Sequence, residues 1–293
     1  MADEDLKARA IALYDRFTHG TQDRRAFMAD MTRLAGSAAA AQMLVAAIAA
    51  DPAAAAIIAE DDKRVNAKMV SWKGANGHQL FGYMAIPKKH AKKPAPVLVV
   101  HENRGLQPYT KDVARRLAVA GFVGLAVDFL SPEGGTPADE DKARQMIAAL
   151  DLGAAAADGV ATIDWLAADH LLNGKVGLVG FCWGGGMVDR LAADAGTALT
   201  AACAFYGPPP PPVDAAKVKA AMLLHYAGND DRVNGAAGPW VDALKAAHVD
   251  VQRFDYPGTQ HAFHNDSSAE RYNAEAANLA WDRTIAFFKE KLA

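Results

Sequence analysis

The feature that most constrains the fold is a series of short, almost wholly apolar runs alternating with helical segments. Pro96 to Val100, Val123 to Phe129, Val176 to Val179, Ala201 to Phe205 and Ala221 to Tyr226 carry almost no polar side chains. Strands buried on both faces read this way, because polar alternation is needed only where one face meets water. Between and beyond these runs, residues 111–120, 139–170, 187–195, 241–247 and 273–292 have helical patterning, the second of them as one helix or two. Val251 to Tyr256 forms a further strand. Strands alternating with helices predict an α/β fold with a mainly parallel sheet covered by helices on both faces. Ahead of it, Lys68–Trp72 and Gln79–Met84 flank Gly74-Ala75-Asn76-Gly77, whose turn chemistry predicts an antiparallel hairpin.

The first 62 residues have a different character. Leu6, Ala10, Leu13, Tyr14 and Phe17 recur at helical spacing, Gly20 and Gly36 are breaks, and Asp51-Pro52 opens another short helix. This predicts an N-terminal helical extension over residues 1–62 and an α/β domain over 63–293. Arg24-Arg25 followed by the apolar stretch Ala35–Ala50 resembles a twin-arginine export segment, which would make the protein periplasmic. Asp3, Glu4, Asp5 and Asp15 before it, and Asp30 and Arg33 at its start, favour a packed helical extension on a cytoplasmic protein. The stretch is short and broken for a membrane span, which needs about 20 apolar residues. These helices are also a candidate surface for self-association. A net charge of −3 gives no field that would draw nucleic acid. Lys88, Lys89, Lys92 and Lys93 lie among prolines and read as a solvated loop. Two cysteines make no disulfide framework and fit a reducing compartment.

The chemistry concentrates just after the predicted strands, where ligands bind in open parallel sheets. Gly180-Phe181-Cys182-Trp183-Gly184-Gly185-Gly186 runs from strand to helix as a nucleophile elbow with cysteine at its apex. Flanking glycines let neighbouring backbone approach, and the helix N-terminus favours negative charge on sulfur. The Trp183 N–H is placed to hold an oxyanion. A catalytic thiol needs a base, and the base an orienting acid. Asp230 or Asp231, with Asp230 preferred, and then His261 follow later strands in the chain order such enzymes use. Cys203 and His225 fall inside strands and read as core. His264, three residues after His261, lacks a carboxylate or cysteine cluster, so no metal site is expected there. His101 either lines the site or supports its loop. Pro208 to Pro212 read as a stiff loop at the site mouth, and Arg271 to Ala277 as the solvated start of the last helix.

Together these motifs, with His101-Glu102-Asn103-Arg104-Gly105 and Gly258-Thr259-Gln260-His261-Ala262-Phe263, resemble the dienelactone hydrolase (carboxymethylenebutenolidase) family of the α/β-hydrolase superfamily, from about Val65 to Leu292. The resemblance implies that Glu102 contacts the resting thiol and takes its proton when substrate binds. It makes the Asn103 N–H the second oxyanion donor. The family's type member grips a substrate carboxylate with arginines, one of them shortly after the histidine. Here His264-Asn265-Asp266 stands there, leaving Arg104 or Arg144 as the candidate clamp. The expected activity is hydrolysis of a small lactone or carboxylic ester by Cys182, Asp230 and His261, without metal or organic cofactor. A thioesterase or peptidase on the same elbow is the alternative enzyme. A thiol redox sensor or binding protein is the alternative without turnover.

Overall fold

A computed structural model describes residues 2–20, 22–49, 56–90 and 93–293. The helix expected to open at Asp51-Pro52, and Lys92 of the lysine group, lie outside the described residues. Three helices come first: α1 (Ala2–His19), α2 (Arg24–Ala35) and α3 (Ala38–Ile48). Gly36 ends α2 with φ 79°, a left-handed cap that favours glycine. Ala10, Ile11, Tyr14, Phe17, Phe27, Met31, Ala41 and Ile48 form a core made from these helices alone. Among the described residues no single helix is long and apolar enough to cross a membrane.

The hairpin follows as β1 (Val65–Lys73) and β2 (Gln79–Pro87), antiparallel with Lys73 opposite Gln79. The chain then runs through β3 (Pro96–Val100), α4 (Pro108–Val119), β4 (Val123–Asp128), α5 (Glu140–Ala149), α6 (Leu152–Ala168), β5 (Val176–Phe181), α7 (Trp183–Asp194), β6 (Leu199–Phe205), β7 (Ala221–Asn229), α8 (Asp231–Ala246), β8 (Val251–Gln260) and α9 (Ala274–Lys291). The strand order is β1-β2-β4-β3-β5-β6-β7-β8. The β1–β2 and β2–β4 pairings are antiparallel, and the rest are parallel.

The apolar strands are explained by two cores, one on each side of the sheet. Leu98, Val100 and Leu178 enter one with Ile163, Leu191 and Trp240 of α6, α7 and α8. Val97, Val99 and Val179 enter the other with Val113 and Leu117 of α4 and Phe288 of α9. Successive strand side chains point to opposite faces, so only a run apolar at every position serves both.

One helix is longer than its sequence suggests. The pattern predicts a helix from Val241, yet α8 begins at Asp231 and carries Pro239 inside it. Asp230 caps it through Val233 N–H, and Val233, Ala237, Trp240, Val241 and Leu244 bury one face. Gly235, Gly238 and Pro239 mask that periodicity, and tertiary packing overrides their low propensity.

Candidate active site

Cys182 occupies the β5–α7 turn at φ 56° and ψ −116°, a conformation that side chains with a β-carbon rarely adopt. The turn closes only because its neighbours lack β-carbons. One on Gly180 would lie 2.3 Å from the Gly184 carbonyl oxygen, and one on Gly184 would lie 2.5 Å from the carbonyl oxygens of Val100 and His101. Trp183 opens α7, so its N–H is among the four that a helix leaves without an internal partner. His101 supports the facing loop. Its Nδ1 donates to the Glu102 carbonyl (2.7 Å), its Nε2 accepts from Phe129 N–H (3.2 Å), and its ring stacks on Trp183.

Asp230 and His261 leave the ends of β7 and β8 and meet. His261 Nδ1 lies 2.6 Å from Asp230 Oδ2, and both residues are buried. The neighbouring Asp231 is the first residue of α8 and does not make this bond. Burial pushes the Asp230 carboxyl upward. The bond and charge of His261, with Arg232, outweigh it and hold Asp230 below its ordinary range. Burial likewise opposes charge on His261. Negative charge on Cys182 and the bond to Asp230 prevail and push it up to about 10. That lift depends on charge at the sulfur.

The sulfur has a partner that the sequence does not reveal. His19, the last residue of α1, places Nε2 3.1 Å from Cys182 Sγ. Its Nδ1 lies 2.9 Å from the Asp15 carbonyl, which can only accept, so Nδ1 carries the proton and Nε2 a lone pair. The Cys182 S–H therefore donates to His19. Burial, then the charge of His261, push His19 well below its ordinary range and keep it neutral. The His19 and His261 rings meet edge to face at 4.8 Å. His261 Nε2 is buried without a hydrogen-bond partner among the described residues.

Glu102 lines the same cavity but not as the resemblance implies. Its carboxylate accepts from Asn265 Nδ2 (2.8 Å) and Tyr206 OH (3.5 Å), while His19 takes the resting contact with the thiol. Asn103 uses its side-chain amide to hold the Thr18 carbonyl at 2.8 Å. The two candidate clamps also turn to the N-terminal helices. Arg104 lines the cavity, but its guanidinium donates to Tyr14 OH (2.6 Å) and pairs with Glu140 (3.1 Å). Arg144 lies 4.4 Å over the Phe17 ring, donates to the Phe17 carbonyl and is not among the cavity-lining residues.

The cavity is a pocket of about 60 Å³, with Tyr14, Thr18 and His19 of α1 in one wall. The proline run is absent from its lining, and Pro208 packs on Gly186 instead. Arg271 is buried rather than solvated. It donates to the Ile48 carbonyl at the end of α3 and faces Asp15 at 3.7 Å. His225 is a core residue bonded to Thr284 and Tyr256, and His264 meets the Tyr109 hydroxyl at 2.6 Å.

Residues 80–292 match the model of the dienelactone hydrolase family. The chain is 33% identical over 230 residues to "Protein usf" of Aquifex pyrophilus, covering 74% of this chain and 96% of that one. It is 30% identical over 231 residues to an Escherichia coli protein named "Putative carboxymethylenebutenolidase", covering 74% and 84%. A crystal structure of dienelactone hydrolase from Anabaena variabilis superposes with a TM-score of 0.60. It is 23% identical and covers 78% of this chain and 99% of that one.

Proposed function

Because the chain belongs to the dienelactone hydrolase family, we propose that it hydrolyses a small lactone or carboxylic ester through Cys182, His261 and Asp230. The observation that carries this reading is the 2.6 Å bond from Asp230 to His261 beside a cysteine on a strained elbow. Asp230 fixes the proton on His261 Nδ1, which leaves the Nε2 lone pair free to act as base.

The steps follow from these positions. Substrate displaces His19 from the sulfur, and the thiol proton passes to His261 Nε2. Sulfur bonds to the carbonyl carbon, and the π pair moves onto oxygen. That oxyanion is held by the N–H groups of Trp183 and Asn103. Its collapse breaks the bond to the ring or alkoxy oxygen, which takes the proton from His261. Water, deprotonated by His261, then hydrolyses the thioester and restores the thiol. The role of Glu102 is to hold Asn265 in the wall of the cavity that the acyl group enters.

The test is turnover of a dienelactone, aryl esters, thioesters and peptides by the parent chain and by Cys182→Ala. Lactone or ester turnover lost in the variant supports the reading. Turnover kept in Cys182→Ala removes Cys182 as nucleophile, and activity on thioesters or peptides alone replaces the substrate class.

A further inference from the structure

Three elements distant in the sequence aim nitrogen and sulfur donors at one point. His19 ends α1, Cys182 follows β5 and His261 follows β8, and their donor atoms all lie within 4.8 Å of one another. We propose that this trio binds a thiophilic divalent cation of the Zn2+ or Co2+ type, a site that does not depend on the hydrolytic reading.

Both imidazoles are already in the tautomer that such a cation needs. His261 Nδ1 is held by the Asp230 carboxylate, and His19 Nδ1 by the Asp15 carbonyl. Each ring therefore offers Nε2 as a lone pair, backed by an outer oxygen, which is how metal-ligating histidines are oriented. His261 Nε2 supplies an independent sign. It is a buried nitrogen without a partner among the described residues, in a residue only 2% exposed. A buried acceptor left unsatisfied is costly, and a cation would satisfy it.

The spacing suits a small ion. Bonds of about 2.0 Å to nitrogen and 2.3 Å to sulfur in a tetrahedron place the ligands about 3.3–3.6 Å apart. The His19–Cys182 separation of 3.1 Å must open by a few tenths of an ångström, and the wider pairs close by about 1.5 Å at most. Three protein ligands leave the fourth position open to the cavity. One thiolate and two neutral imidazoles favour Zn2+ or Co2+ over Mg2+ or Ca2+, which prefer oxygen ligands in larger number.

Binding exchanges a proton for the cation. The Cys182 S–H bond breaks, the proton leaves to buffer and a sulfur–metal bond forms, with no change of oxidation state. The ion then occupies the sulfur and blocks attack on any acyl group. It also ties the N-terminal helices to the sheet, because His19 belongs to α1.

The experiment is titration of the whole reduced chain with Co2+, read by absorbance. One cobalt per chain should appear with a near-ultraviolet thiolate charge-transfer band. The band should vanish in Cys182→Ser, and affinity should fall on the order of tenfold or more in His19→Ala. Zn2+ should displace the cobalt and raise the melting temperature of the parent but not of His19→Ala, while Mg2+ does neither. His19→Gln, with circular dichroism on each variant, serves if His19→Ala does not fold. No charge-transfer band in the parent at millimolar cobalt overturns the site. So does equal affinity in the parent and the His19 variant. Cobalt held by surface histidines gives no sulfur band, and an inactive parent that still shows the band sinks the hydrolytic reading alone.

Discussion

At the scale of single residues, the competition for the Cys182 proton decides reactivity. The neutral His19 ring accepts the S–H bond and covers the sulfur at 3.1 Å. One hydrogen bond is worth about 0.5–1.5 kcal/mol net, so His19→Ala should speed alkylation of Cys182 by iodoacetamide about 2- to 12-fold at pH 7. A slower rate would identify His19 as the base that activates the sulfur. Asp230 acts through His261, and Asp230→Asn should lower kcat by about 10²–10⁴-fold, since the imidazole loses its fixed tautomer. Burial opposes charge on His261, and the lift to about 10 comes from negative charge on Cys182 and the bond to Asp230. The lift therefore belongs to the thiolate form, while beside the resting thiol His261 Nε2 keeps its lone pair.

At the scale of elements, the elbow depends on backbone contact between β5, α7 and the end of β3. A β-carbon at Gly184 would meet two carbonyl oxygens at 2.5 Å, and these are main-chain atoms that no rotamer change relieves. Gly184→Ala should cost more than about 2 kcal/mol by chemical unfolding and lower turnover with it. A loss under about 0.5 kcal/mol would mean that α7 can shift away from β3. The start of α8 rests on a different device. Asp230 is both the helix cap and the partner of His261. One carboxylate thus fixes the position of the helix and the tautomer of the imidazole, which ties the site to the fold.

At the scale of the molecule, a helical unit with its own small core lies against the sheet domain, and hydrogen bonds cross between the two. Asn103, Arg104, Arg144, Ser268 and Arg271 hold backbone or tyrosine oxygens of α1 and α3. Small cores open at lower free energy than large apolar ones. Amide exchange should show α1–α3 losing protection at lower urea than β3 and β5, and simultaneous loss of both would show a single cooperative unit. The parallel sheet was legible in the sequence, since short runs apolar at every position suit strands buried on both faces and their alternation with helical segments suits parallel crossovers. The sequence also determined the elbow, because three glycines after a cysteine at a strand end leave few other backbone paths, and it ordered the acid and the histidine along the chain. The full length of α8 was hidden by two glycines and a proline, whose low helix propensity is overcome only by packing of its buried face. Only the tertiary structure decided what touches the sulfur. His19 stands 163 residues from Cys182, in a segment whose pattern reports a helix broken at Gly20 and nothing of what that helix end meets. The same is true of Arg104 and Arg144, whose guanidinium groups turn to Tyr14 and Phe17. Local patterns record which face of an element is apolar. Which elements meet, and hence which polar groups find each other across them, is settled only when the whole chain packs.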